Sequence, residues 1–360
     1  MLKRILIIVA IVAILLIGIV VSSALYFRPQ ADRITDHILE NNENAAILLV
    51  QDGDTICSLN PEKMMPLAST MKIIIAIEYA YQAADGIIDA DQMITFSDID
   101  KYWIKKTDGG AHRIWKNSVS SKAKDNKIPI REIAKGMIKY SSNANTEWLI
   151  DKLGLDNINS RIDSLGIKDH SEIYYIVSSL LVGKEEYPSL KADKIVEKIK
   201  QMPMQEYIAI SQEIHNKIKN DQIGNDTPEN LTMEYQRLWS ERLPASTAAE
   251  YVELMSKLNS KEYFSDDVHK YLDEVMEFPM ENSANQKWLK HAGMKGGSTM
   301  FVLTKALYAT DNEGNTTELA YFIDNLGYIQ NTRLQISMNK FELEILTNGE
   351  FRDLLQEKLQ

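Results

Sequence analysis

The chain has 360 residues, 44% hydrophobic and 25% charged, enough for one large folded domain or two small ones. A formal net charge of −11 excludes an extended nucleic-acid surface, which needs a basic footprint. One cysteine, Cys57, excludes an internal disulfide, and the short apolar run around it predicts a small buried side chain.

Lys3 and Arg4 precede an uncharged apolar run from Ile5 to Val21, which Ser22 to Phe27 extend and Arg28 ends. Its length suits a spanning helix, which takes roughly 20 apolar residues, better than a signal-peptide core of about 7–15. Ser22-Ser23-Ala24 also has the small side chains of a cleavage site. Residues 1–28 therefore read as a transmembrane anchor or a removed signal. In both cases the positive flank stays inside and the rest of the chain is exported.

The exported part, residues 31–360, reads as one domain. Residues 31–41 predict a helix. Residues 45–50 and 55–59 predict two strands around the turn Gln51-Asp52-Gly53-Asp54. A helix is expected over 70–84, ended by Asp85-Gly86, and Gly109-Gly110 marks a loop. Pro129 opens a helix with Ile133, Met137 and Tyr140 on one face, and residues 144–153 form another, stopped by Gly154. Residues 182–242 are polar, rich in Lys and Glu, and broken by Pro203 and Pro228, which predicts a solvated helical insertion. Thr247-Ala248-Ala249-Glu250 has the form of a capping box before a further helix. Strands follow at 291–295, 300–309 and 318–324, with a turn over 311–315, and a helix near 351–359 closes the chain. Strands at both ends and helices between them predict an α+β fold. One antiparallel sheet would be built from both chain ends, beside a central helical lobe, with a cleft between them.

Three short motifs carry the chemistry. In Ser69-Thr70-Met71-Lys72 the spacing of three puts a hydroxyl and an amine on one face, before a helix that is apolar nearly all round. Burial favours the neutral amine, which can then take a proton from the hydroxyl. In Ser141-Ser142-Asn143, Ser141 can relay a proton and Asn143 can present its amide to a substrate amide, although these residues also suit a helix cap. In Lys295-Gly296-Gly297 a strand presents a cation, and the glycines allow close backbone approach by a ligand. The six histidines show no paired-ligand spacing, so neither metal nor other cofactor is expected. No Gly-x-Ser-x-Gly elbow is present, which disfavours a Ser-His-Asp triad.

In these motifs, their order, and the flanking segments Pro66-Leu67-Ala68 and Met137-Ile138-Lys139-Tyr140, the chain resembles the penicillin-interacting serine hydrolases. The resemblance is greatest to the class A β-lactamase catalytic domain and covers residue 31 to the C-terminus, apart from the insertion. It implies a two-lobed β-lactamase/transpeptidase-like fold. It also implies that Ser69 is the acylated nucleophile, Lys72 its proton acceptor and Ser141 the proton shuttle. Asn143 would contact the acyl side chain and Lys295 the substrate carboxylate, along the strand bearing Gly297 and Ser298. The backbone N–H groups of Ser69 and Ser298 would form the oxyanion hole. The implied partners are a β-lactam or a peptidoglycan-derived D-alanyl peptide, with the domain on the outer side of a bacterial cell membrane.

The chain departs from that pattern at three places. Ser142 stands where class A enzymes commonly have aspartate, and Gly296 where a hydroxyl residue is usual. The loop over 174–178, where those enzymes carry the glutamate that activates the deacylating water, has no carboxylate. Glu172, Glu185 and Glu186 are the nearest substitutes. A β-lactam or peptidoglycan sensor acylated without turnover is therefore an alternative, and a degenerate, non-catalytic envelope protein another.

Overall fold

A computed structural model describes residues 15–359. Residues 15–26 are helical and exposed. Among the described residues no helix is long and apolar enough to cross a membrane. The expected anchor begins at Ile5, and its part before residue 15 lies outside the described residues.

Five antiparallel strands form the main sheet: β1 (Ala45–Gln51), β2 (Asp54–Leu59), β3 (Leu289–Ser298), β4 (Leu303–Asp311) and β5 (Thr316–Ile323). Their order is β2-β1-β5-β4-β3, so strands from both chain ends meet at the β1–β5 pair. The first hairpin turns through Asp52 and Gly53 at φ of 52° and 86°, as a tight two-residue turn requires.

The strand period of two separates two cores. Ala45, Ile47, Leu49, Leu319, Tyr321 and Ile323 face helices α1 (Asp32–Glu40), α12 (Tyr328–Thr347) and α13 (Gly349–Leu359). Ala46, Ala306, Tyr308, Ala320 and Phe322 face the helical lobe. That lobe comprises α2 (Lys72–Ala84), α3 (Ala111–Val119), α4 (Ile130–Lys139), α5 (Asn143–Leu153) and α6 (Leu155–Ser164). It continues through α7 (Ala192–Gln201), α8 (Met204–Lys219) and α9 (Met233–Glu241). Helices α10 (Ala248–Asn259) and α11 (Asp266–Met276) complete it. Cys57 is buried as expected, and burial pushes its thiol up to about 12.

Two sequence expectations need correction. Residues 182–242 are not a solvated insertion. Ile195, Ile199, Tyr207, Ile214, Ile218, Tyr235 and Leu238 are all buried in the main core. Lysines and glutamates cover only the outer faces of these helices, so composition concealed a stripe at helical spacing. The 20-residue helix α12 was not foreseen either. Leu334, Met338, Phe341 and Ile345 lie at helical spacing against the sheet. Buried Asn331, Ser337 and Glu342 interrupt that stripe. Glu342 is paired with Lys305 at 3.1 Å and takes a hydrogen bond from the Tyr321 hydroxyl at 2.9 Å.

Candidate active site

The first motif does not begin a helix in the simple way its sequence suggests. Ala68–Met71 is a 3₁₀ turn, and Lys72 opens α2. Three residues per turn eclipse Ser69 and Lys72 on one side. Ala68 sits at φ 46°, a left-handed conformation that a non-glycine residue adopts at a cost on the order of 1 kcal/mol or more. Hydrogen bonds hold the turn in place: Leu67 N–H donates to the Pro244 carbonyl, and Thr304 Oγ1 donates to the Leu67 carbonyl.

Strand β3 lies directly against this turn. A Cβ on Gly297 would stand 2.5 Å from Ser69 N, 2.6 Å from Thr304 Oγ1 and 2.7 Å from the Leu67 carbonyl oxygen. The absent side chain at Gly297 thus serves the approach of the Ser69 turn, not that of a ligand alone. Gly296 is less constrained: its Cβ would meet the Thr304 carbonyl oxygen at 3.4 Å and the Lys305 stem at 3.6 Å.

The second motif lies between α4 and α5. Ser141 is left-handed at φ 63°, and Ser142 N–H donates to the Gly136 carbonyl at 3.2 Å. Ser142 is the N-cap of α5, accepting from Asn145 N–H, which leaves Asn143 on the first turn. Ser141 and Asn143 face the cleft, whereas Ser142 is fully buried and points away from it.

These segments converge on two buried lysines. Lys72 Nζ lies 2.9 Å from the Ser141 carbonyl oxygen, 2.9 Å from Asn143 Oδ1 and 3.3 Å from Ser141 Oγ. Lys295 Nζ lies 3.1 Å from the same Ser141 hydroxyl and 2.5 Å from the Gly296 carbonyl oxygen. The Lys72 backbone N–H donates to the Ser69 carbonyl, but among the described residues no side-chain hydrogen bond links Ser69 to Lys72. Burial lowers Lys72 to about 7, although the Asp108 and Glu147 carboxylates pull it back upward. Burial also drives Lys295 well below the ordinary lysine range, and Lys72 and Lys305 add to that.

A neutral Lys72 has two N–H donors and one lone pair. The Ser141 carbonyl and Asn143 Oδ1 can only accept, so they take both hydrogens. Ser141 Oγ–H is the remaining neighbour, and it can donate to the lone pair while accepting from Lys295. The arrangement is a proton path between two amines through one hydroxyl.

The cleft above these groups measures about 690 Å³. Ser69, Ser141, Asn143, Gly297 and Ser298 line it, over Lys72 and Lys295. One wall comes from the segment read as solvated, through Leu231, Gln236, Trp239 and Ser240, together with Leu243, Ile176 and Leu180. Trp239 Nε1 donates to the Ile176 carbonyl at 2.9 Å and to Ser179 Oγ at 3.0 Å, which fixes the indole. The opposite rim is the loop 106–109 beside the Gly109-Gly110 marker, and α12 adds Tyr328, Asn331 and Gln335.

Glu172, Glu185 and Glu186 do not line the cleft. The carboxylate that does is Asp108, and both its oxygens are occupied. Oδ1 accepts from Gly110 N–H at 3.0 Å and Oδ2 from His112 N–H at 2.9 Å. Glu147, unnoticed in the sequence, is fully buried behind the site. It accepts from Val177 N–H, Ser178 Oγ and His215 Nδ1 at 2.8, 2.8 and 3.1 Å, tying the 174–178 loop to α5 and α8. The sequence of α5, which mixes polar and apolar residues, does not single it out.

A family model described as the beta-lactamase enzyme family matches residues 29–287. Solved structures with the same fold include beta-lactamases from Chitinophaga pinensis DSM 2588 and Sphaerobacter thermophilus DSM 20745. The first is 14% identical with a TM-score of 0.52, covering 87% of this chain and 98% of its own. The second is 17% identical with a TM-score of 0.53, covering 89% and 99%. The TLA-3 extended-spectrum beta-lactamase is 13% identical with a TM-score of 0.53, covering 88% and 98%. No curated protein matches the chain.

Proposed function

The chain belongs to the beta-lactamase enzyme family, and from that membership we propose that it forms an acyl-enzyme at Ser69 with a β-lactam or a cell-wall D-alanyl peptide. The observation that carries this reading is the Lys72–Ser141–Lys295 chain, with 3.3 and 3.1 Å steps, beneath the Ser69 turn. Neutral Lys72 takes the Ser69 proton as Oγ attacks the substrate carbonyl carbon. Negative charge gathers on the carbonyl oxygen, where the Ser69 and Ser298 N–H groups would receive it. The C–N bond then breaks. The proton passes from Lys72 through the Ser141 hydroxyl to the departing nitrogen, and the acyl group stays on Ser69. Lys295 holds Ser141 in line, and its charge attracts a substrate carboxylate. Asn143 presents the free end of its amide to the substrate's own amide.

The test is incubation with a fluorescent penicillin. Covalent label is expected on the wild type and not on Ser69→Ala. Equal labelling of the two, or none on the wild type, overturns the reading.

Asp108 favours a second step in the same reading: the acyl-enzyme is long-lived. Hydrolysis needs a base that activates water. The Asp108 carboxylate is already committed to two backbone N–H groups, and Ile176 and Leu180 present hydrocarbon to the cleft. The protein then serves as a penicillin-binding or sensor domain. Sustained turnover of a chromogenic cephalosporin would refute this step while leaving the acylation intact. The apolar run before Arg28 would anchor the domain at the outer face of the membrane. Recovery of full-length protein in the soluble fraction after cell lysis would refute that placement.

A further inference from the structure

Asp100, His112 and Ser142 form a hydrogen-bonded line behind the site that the acylation chemistry does not use. His112 is 1% exposed and Ser142 is fully buried. His112 Nε2 lies 2.8 Å from Asp100 Oδ1, and His112 Nδ1 lies 3.0 Å from Ser142 Oγ. The spacing resembles that of a Ser-His-Asp triad. The serine hydroxyl faces Asn145 rather than the cleft, so the line has a different use.

Asn145 fixes the direction of the Ser142 hydroxyl. Asn145 Nδ2 donates to the Ile133 carbonyl at 3.0 Å, which orients the amide and turns Oδ1 toward Ser142. Asn145 cannot shift away: it packs with Trp115 over Gly136, where even a Cβ would stand 2.3 Å from Asn145 Nδ2. Ser142 Oγ–H therefore donates to Asn145 Oδ1, at 2.8 Å. The Ser142 oxygen then accepts from Asn145 N–H and from His112 Nδ1–H. His112 thus bridges the two segments, with one ring nitrogen on the Asp100 carboxylate and the other on the Ser142 hydroxyl.

The surroundings of the pair are consistent with this. Lys116 Nζ lies 2.5 Å from Asp100 Oδ2, so one carboxylate serves both side chains. Burial works against ionisation of Asp100, and its bonds to His112 and Lys116 outweigh that and hold it below the usual carboxylate range. The Trp103 and Trp115 rings lie against the imidazole, each with centroids 5.3 Å away. The aspartate on its backbone N–H is Asp108, on the cleft rim.

We propose that the hydrogen-bonded Asp100–His112 pair is the positioning unit of the second motif. It holds Ser142, and through the adjoining backbone it sets the left-handed Ser141 and the Asn143 amide against Lys72. The same residue ties the rim loop at Asp108 to that segment. His112 and Asp100 are positioning residues, with no contact to substrate. The proposal rests on the acylation reading above.

The experiment compares fluorescent-penicillin labelling rates of the wild type, His112→Asn, His112→Gln and His112→Ala, with the Tm of each. Asn places its amide N–H where Nδ1 stood and should stay within several-fold of the wild-type rate. Gln reaches toward Asp100 but not Ser142, and Ala reaches neither. Both should label about 100-fold more slowly, the penalty for a displacement near 1 Å. A purely structural role would scale the rate with Tm and give Asn no advantage over Gln. Gln or Ala labelling at the wild-type rate overturns the proposal. No label on the wild type overturns the acylation reading, and this proposal with it.

Discussion

Replacing Gly297 with alanine is the sharpest single probe of how the site is held. The new Cβ would stand 2.5 Å from Ser69 N and 2.7 Å from the Leu67 carbonyl oxygen, both backbone atoms of the nucleophile turn. Ordinary van der Waals contact begins near 3.4 Å, so strand and turn must separate by about 0.9 Å. Overpacking of this kind costs about 1–3 kcal/mol, and a domain of this size would lose about 2–5 °C in Tm. The larger effect is kinetic. A nucleophile moved by about 1 Å loses on the order of 100-fold in rate. Gly296→Ala is the control, because its nearest contacts are 3.4 Å or more away and include a flexible lysine stem. The assay is the time course of fluorescent-penicillin labelling beside thermal unfolding. Gly297→Ala labelling at the wild-type rate with an unchanged Tm would refute the claim that strand and turn are in close contact.

Three further expectations follow from the electrostatics. The acylation rate should rise with pH through about 7, as Lys72 loses its proton, and Lys72→Arg should not label at any pH, since a guanidinium does not deprotonate. Lys295→Met removes the amine that holds the Ser141 hydroxyl at 3.1 Å, so the labelling rate should fall while its rise with pH stays near 7; an unchanged rate would count against the relay. His215 is buried, which alone would lower its pKa, but the Asp151 and Glu147 carboxylates beside its two ring nitrogens raise it above 6.5. Its contribution to stability is then fully present below pH 6.5 and lost as pH rises through the raised value. Glu147→Gln leaves the buried cation with Asp151 alone, so it should lower stability by about 3 kcal/mol or less at pH 6 and by less still at pH 8. Chemical denaturation at the two pH values measures it, and equal losses would contradict the assignment.

Much of the site could be read locally. Ser69 and Lys72 are three residues apart, so any helical turn joins them. Strand alternation alone placed Lys295 on one face. The two-lobed layout followed from strands at both chain ends, and the β1–β5 pair closes the sheet there. Other features could not be read because they depend on directions set by distant contacts. Nothing in Ser141-Ser142-Asn143 says which serine faces the cleft. Burial against His112 and Asn145 decides that, from residues 30 and 3 positions away. Nothing near Gly297 reveals that Leu67 and Ser69 lie against it.

The chain by itself determined which chemical groups are available: a hydroxyl, two amines, a relay serine and an amide, in one order along the chain. Composition misled only where polar outer faces concealed buried stripes, in the helices of 182–242 and in α12. The tertiary structure alone decided how those groups act. It buried Lys72 deeply enough to bring it to about 7. It turned Ser142 inward, walled the cleft with Trp239 and Leu243, and committed both Asp108 oxygens to backbone donors. Proton affinity and orientation depend on desolvation and on partners far along the sequence. Those quantities exist only once the chain has closed on itself.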